Sequence, residues 1–458
     1  MAINIFEVLR RAEDGVYMKE DEFNMKLYKT NKALVKKYGI KFDRENPIQE
    51  NDEMASNLFD AAIELCLEMG GMYCVDTSRI IKVSKEEILE ALEQAPKEML
   101  LGEGKDARTL RARRIHDGHK MTVCGGCPGT PLPEELFLPI MMSYAKEPLL
   151  DIIIPGSLVT IEGMDVKTGG PLEIRACRQE MLWMREALTR YGRPGTHIYA
   201  AGESSATELG TLAICNEKYM RGTDSHMIPV LTELKTDNIR LSRVMTGLEY
   251  PSWTTSLMDP IIGGFAGGAE GAAIVGAAAI MLATACYGVQ MHCLHAIHNK
   301  YVSVSTREGM WMDSIIGRAF AVRSPIAIFA DAWTTCGAGT EEVLYEAAAL
   351  AIAQELSALN TDSLGSTNGV YPNCSGLEDR LFAETVDAVF HQGMTEVEGN
   401  AMLKKILEKY EYTLDEPKLG KRFDEVYDVR TIEPTAEWKG MYDKVKADLA
   451  TMGIQYRF

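Results

Sequence analysis

The sequence predicts an α/β protein of the (β/α)8 TIM-barrel class, with an N-terminal helical extension and C-terminal helices. Three observations predict it. Short apolar strands alternate with helices over about 250 residues, the length such a barrel uses. The stretch Gly192–Ser205 is one complete unit: a Gly192-Arg193-Pro194-Gly195 turn, the strand Thr196-His197-Ile198-Tyr199, a small-residue loop, and Ser204-Ser205 placed to cap a helix. No Gly-x-Gly-x-x-Gly opens a helix after the first strand, which leaves a doubly wound open sheet as the runner-up. The loop after a strand's C-terminal end is where such folds mount chemistry, so His197, Tyr199 and Glu203 are the first candidates. The alternative for the same stretch is a buried strand with a solvated loop.

Residues 1–115 read as a helical N-terminal extension without a catalytic site of its own. Glu20–Tyr38 is a charged amphipathic run closed by Gly39, and Asp52–Met69 is a second one closed by Gly70-Gly71. Ser84 with Glu87 three residues on forms a capping box for a helix that runs to Gln94, before Pro96. Residues 116–385 form the barrel. Strands are expected at Met121–Cys124, Asp151–Ile154, Thr196–Ala201, Met227–Leu231, Ile326–Ala330 and Asp362–Gly365, with helices near Glu134–Lys146 and Leu172–Tyr191. Ala272–Val289 carries no charge and approaches the length of a membrane span. Its composition is mostly alanine with few large apolar residues, which suits a helix packed closely inside the barrel. Residues 386–458 return to charged helices that pack on the barrel.

The chain of 458 residues is 46% hydrophobic and 25% charged, as a soluble globular enzyme would be. A net charge of −18 argues against nucleic acid or an anionic membrane as partner. The 10 cysteines are scattered, with Cys124 and Cys127 the one C-x-x-C pair, which fits thiols of a reducing cytoplasm better than a disulfide framework. The N-terminus, Met1 to Asp14, has no uninterrupted apolar core, so no signal peptide is expected.

Several stretches carry chemical potential. Cys124-Gly-Gly-Cys127 lacks the second ligand pair of a structural zinc site. His292, His295 and His298 recur every third residue, with Cys293 among them, and in a loop they can close around a metal. Thr223-Asp224-Ser225-His226 sets an acid beside an imidazole, with Glu233-Leu234-Lys235 following. Lys235 can form a Schiff base if buried, but Glu233 and Asp237 on either side favour a salt bridge. None of these names a reaction alone.

Taken in order, however, the motifs resemble the archaeal monomethylamine:corrinoid methyltransferases over nearly the whole chain. They are Asp76-Thr77 with Arg79-Ile80, Met142-Ser143-Tyr144-Ala145, Gly192-Arg193-Pro194-Gly195, Thr223-Asp224-Ser225-His226 and Glu233-Leu234-Lys235. Pro260-Ile261 with Gly263-Gly264-Phe265-Ala266-Gly267-Gly268, Ser305-Thr306-Arg307-Glu308, Tyr427-Asp428-Val429, and Thr431 with Pro434-Thr435 complete the series. The resemblance implies a barrel, a homo-oligomer (a hexamer), and transfer of a methyl group to cobalt in a corrinoid (cobalamin) carried by a separate protein. No tightly bound cofactor is expected in this chain.

The departures from that family are concerted. Its pyrrolysine falls at Tyr199 in the gap-free register, with Ala200 the alternative match. Its acidic residue after Thr-Asp-Ser-His is Met227, and its glutamate before the Pro-Ile-x-Gly-Gly stretch aligns with Leu257, with Asp259 displaced by two. Its glutamine and tyrosine of the seventh unit become Ala332 and Thr334, leaving Trp333 between them and Cys336 after. A quaternary or tertiary ammonium donor already carries the charge that makes an amine leave, and needs no adduct. It needs alignment with cobalt and a cage that tolerates a cation. Tyr199, Trp333, Trp253 and Tyr250 are the expected aromatic faces, with Met227 and Leu257 replacing carboxylates. His197 and His226 would orient substrate or donate a proton, Asp259 or Glu203 would balance charge, and Ala332, Thr334 and Glu233 complete the expected site. Retained methylamine activity, a metal-assisted enzyme using the histidine cluster, and a silent binder of the corrinoid protein are the alternatives.

Overall fold

The computed structural model describes residues 3–365 and 372–458. Its centre is a closed parallel barrel. Six expected strand positions are occupied, as β1 (Cys124–Gly126), β2 (Ile152–Ile154), single bridges at Ile198 and Ala201, β3 (Ser225–Val230), β6 (Ala327–Asp331) and β7 (Asn360–Ser363). Two further strands, β4 (Trp253–Met258) and β5 (Met291–Leu294), sit between β3 and β6. Neither was foreseen. The middle of β4 is Thr254-Thr255-Ser256, too polar to read as a buried strand, and β5 is four residues long with a histidine inside it.

Closure follows from the pairing. β3, β4, β5, β6 and β7 pair in that order, all parallel. β1 pairs with β2, Ile153 with Ile198, Ala201 with His226, and Val123 with Thr361, which joins the last strand to the first. A helix follows each of the eight positions, from Glu134–Ala145 to Gly376–Gln392. Helix Ala269–Tyr287 has a mean hydropathy of 1.7, yet 94% of its apolar window is buried, as expected of a helix clamped between barrel and outer helices. Small residues allow that approach: a Cβ on Gly276 would lie 3.0 Å from Ile316 and 3.2 Å from Pro260.

The N-terminal part differs from the all-helical reading. Alongside its helices it holds two hairpins, Gly71–Cys74 with Arg79–Lys82 and Glu98–Leu101 with Arg108–Arg111. Met99, Leu101 and Leu110 of the second hairpin join Tyr199, Met291, Ala327 and Phe329 in one buried cluster. Met291 and Ala327 begin their strands, so this hairpin plugs the N-terminal end of the barrel and leaves the opposite end for a site.

Candidate active site

A cavity of about 410 Å³ opens at the C-terminal end of the barrel. Strand alternation decides which side chains reach it. In β4, Thr255 and Leu257 face inward, and Asp259 continues the period past the strand end. In β5 the same period gives Cys293 and then His295, and in β6 it gives Phe329 and Asp331. Met227 faces inward from β3, and Asp362 from β7. Glu203 arrives on the loop after the Ile198–Ala201 segment, and Trp333 on the loop after β6. Nearly every strand end therefore contributes one wall residue.

Acid dominates the lining. Glu203, Asp259, Asp331 and Asp362 face the cavity, and no lysine or arginine does among the described residues. Burial raises the Glu203 carboxyl to about 8, with help from the charges of Glu180 and Asp362. Burial raises Asp362 to about 6, and it pushes Asp331 well above the carboxylate range, reinforced by the charge of Asp362. His295 Nδ1 lies 3.1 Å from Asp259 Oδ1 and 3.6 Å from Asp331 Oδ2, while its Nε2 has no hydrogen-bond partner. The His295 ring packs on Trp333 with centroids 4.8 Å apart. A cation entering this space would meet carboxylates able to shed their protons and one indole face.

Only part of the expected site meets here. Glu203, Asp259, Met227, Leu257 and Trp333 line the cavity. Tyr199 does not reach the mouth: it is fully buried in the barrel interior, its ring 4.7 Å from Phe329 and its hydroxyl 2.8 Å from Thr255 Oγ1. Ala200 is buried in the same cluster. Trp253 starts its strand and donates to Leu100 O of the plug hairpin, and Tyr250 donates to Met220 O, so neither ring joins a cage. His197 is enclosed, bonded to Thr223 O and Ser225 Oγ. His226 points outward from β3, its Nδ1 3.2 Å from Ser252 Oγ. Burial lowers both imidazoles to about 4.

The remaining candidates are dispersed. Ala332 and Thr334 are buried in the loop that carries Trp333, where Thr334 Oγ1 donates to Cys336 O. Glu233 sits in a separate small pocket with Thr232, Met258 and Pro260, and burial raises it to about 7. The histidine triplet does not gather. His292 lies outside the barrel wall between Ser256 Oγ at 2.9 Å and Thr284 Oγ1 at 3.2 Å, and His298 packs on Tyr301. Lys235 pairs with Glu20 at 2.7 Å, as a salt bridge rather than a Schiff-base site. Sequence reasoning passed over His295 as a cavity residue, and Asp331 and Asp362 altogether. Period-two counting from Thr255, Met291 and Ala327 would have pointed to Asp259, His295 and Asp331.

Trp333 is held by missing side chains. A Cβ on Gly129 would lie 3.3 Å from its Cζ2, and one on Gly365 would lie 2.0 Å from its Nε1. A side chain at Gly365 would therefore force the indole to move, while one at Gly129 would press on its edge.

Comparison with known proteins agrees with the fold and with the ordered motifs. The family described as "Monomethylamine methyltransferase MtmB" matches residues 3–454. Monomethylamine methyltransferase MtmB2 of Methanosarcina acetivorans is 32% identical over 464 aligned positions, covering 99% of both chains. Monomethylamine methyltransferase MtmB of Methanosarcina mazei is also 32% identical, with 99% of each chain covered. The crystal structure of the Methanosarcina barkeri monomethylamine methyltransferase superposes with a TM-score of 0.94 at 30% identity, covering 100% of this chain and 99% of that one. A hydroxylamine complex of MtmB gives the same TM-score of 0.94. The chain belongs to the monomethylamine methyltransferase MtmB family.

Proposed function

We propose that this methyltransferase moves a methyl group from a cationic N-methyl donor, a quaternary or tertiary ammonium, to Co(I) of a separate corrinoid protein, without pyrrolysine. One observation carries the reading: among the described residues, the cavity at the barrel mouth is lined by four carboxylates and an indole, with no lysine or arginine. Tyr199 and Ala200, the two residues in the pyrrolysine register, lie buried beneath it and offer no electrophile. The corrinoid of the partner supplies the nucleophilic cobalt. The residues of this chain position the donor and set its electrostatics.

Glu203 and Asp259 balance the ammonium charge, Met227 and Leu257 give an apolar wall for N-methyl groups, and Trp333 supplies an aromatic face. His295 holds Asp259 in place through its 3.1 Å contact. Tyr199 forms the floor, and His197 and His226 brace the wall from outside the cavity. Recognition therefore rests on carboxylates more than on a cage of rings. Transfer of the methyl group from a quaternary donor would release a neutral amine, which needs no proton from this chain. The free cysteines suit a reducing cytoplasm.

The same carboxylates favour a second reading. Unlike an aromatic cage, they accept N–H hydrogen bonds, which a methylammonium ion offers and a quaternary ammonium does not. The experiment is a panel of N-methyl compounds with reduced corrinoid protein, read as methyl-cobalt formation. Quaternary or tertiary donors should methylate cobalt while methylamine is inert. Methylamine turnover alone would select the second reading, and no turnover with any donor would overturn both.

A further inference from the structure

Three inward-facing residues on adjacent strands, two of them among the four cavity carboxylates, form a constellation of metal-ligating side chains. They are Cys293 of β5, Asp331 of β6 and Asp362 of β7, all fully enclosed and with one ligand atom each lying within 4.8 Å of the others. Cys293 Sγ is 3.9 Å from Asp331 Oδ2. Neither oxygen of Asp362 has a hydrogen-bond partner, nor does Oδ1 of Asp331, although these side chains are 1% and 3% exposed. Buried carboxylate oxygens without donors are costly, and a cation removes the cost. Asp331 and Asp362 also line the cavity, so a group bound here would have one side open to it.

We propose that Cys293, Asp331 and Asp362 bind a divalent transition-metal ion of the zinc type, with an open coordination position facing the cavity. A thiolate with two carboxylates selects a borderline-soft ion over calcium or magnesium, which prefer all-oxygen sets. Three protein ligands and one free position is the arrangement of a catalytic rather than a structural zinc. Tetrahedral ligand atoms at ordinary Zn–S and Zn–O lengths lie roughly 3.3–3.8 Å apart, so the trio closes by about 1 Å on the ion. Double positive charge would hold the buried thiol and the two acids in their deprotonated forms. The open position takes a water or the carboxylate of a substrate. His295, whose Nε2 is unpartnered, stands at the cavity wall nearby. The site differs from the histidine triplet considered from sequence, whose members point apart, and it does not depend on the identity of the methyl donor.

The test uses the full chain, stripped with chelator and dialysed against zinc or cobalt(II) with elemental analysis of the protein. The expected result is about one metal per chain, and a thiolate-to-cobalt charge-transfer absorption in the cobalt form. Cys293→Ser should abolish that absorption and weaken zinc binding at least about tenfold. Asp362→Asn should weaken zinc binding while keeping the absorption, and Cys286→Ser, a buried thiol outside the site, should leave both intact. Should Cys293→Ser fail to fold, the cobalt spectrum of the unaltered protein still decides. A chain that retains no metal, a cobalt form without thiolate absorption, or equal retention by the unaltered protein and Asp362→Asn would overturn the proposal.

Discussion

Trp333 is the single aromatic face of the cavity among the described residues, and it packs against Gly129 and Gly365. Replacing it by leucine keeps bulk and removes the negative ring face, and should weaken binding of a cationic donor by about 0.5–2 kcal/mol, read as a rise in Kd or KM. Gly365→Ala should reproduce that loss without touching the indole, because a Cβ 2.0 Å from Nε1 forces the ring to move. Asp259→Asn removes a charge from the cavity while keeping an amide oxygen that can accept from His295, and should raise KM for a quaternary donor with little change in thermal stability. His226→Gln, on the outer face of its strand, should leave turnover of a quaternary donor unchanged.

At the scale of elements, the hairpin Glu98–Leu101/Arg108–Arg111 stoppers the barrel floor. Leu101 and Leu110 are fully buried there, so Leu110→Ala should cost about 2–5 kcal/mol in denaturant unfolding while donor KM in the surviving folded fraction stays close to that of the parent. This hairpin was illegible because four-residue strands carrying Glu98, Arg108 and Arg111 look like exposed charged chain until the barrel they plug is known. The strands flanked by clear turns, such as Ile152–Ile154 before Pro155-Gly156, were legible from sequence, as was the alanine-rich helix Ala269–Tyr287. β4 and β5 were hidden by polar residues that mostly face outward, Thr254, Ser256 and His292, where they bond Gln290, each other and Thr284 behind the barrel wall. Glu203 was found from its loop after the Thr196–Tyr199 strand, and Asp259 and Trp333 through motif register, whereas Asp331 and Asp362 lie at strand ends that only the closed barrel brings together. Tyr199 was read at the mouth because its position after the Gly192–Gly195 turn was known and the depth of its side chain was not.

For the whole molecule, stability should depend on pH through buried neutral imidazoles. His197 and His226 are both fully enclosed, and burial lowers each to about 4 from an ordinary value near 6.5. The unfolded chain takes up those protons first as pH falls, so the stabilisation is complete above about 6.5 and is lost progressively down to about 4. At pH 5 each should cost on the order of 2 kcal/mol relative to neutral pH, and His226→Gln should flatten that part of a pH–Tm profile. A profile through that window unaffected by the substitution would show that His226 is not held neutral. On the proposed function, the barrel, its floor plug and its acidic mouth would together form a receptacle for a cationic methyl donor, with the cavity at the C-terminal end of the barrel. The most direct test is single-turnover methyl-cobalt formation on the reduced corrinoid protein with tetramethylammonium, trimethylamine and methylamine offered separately. Methylation of cobalt by tetramethylammonium or trimethylamine, with methylamine inert, is the predicted result. Turnover of methylamine with both of the others silent would contradict the account.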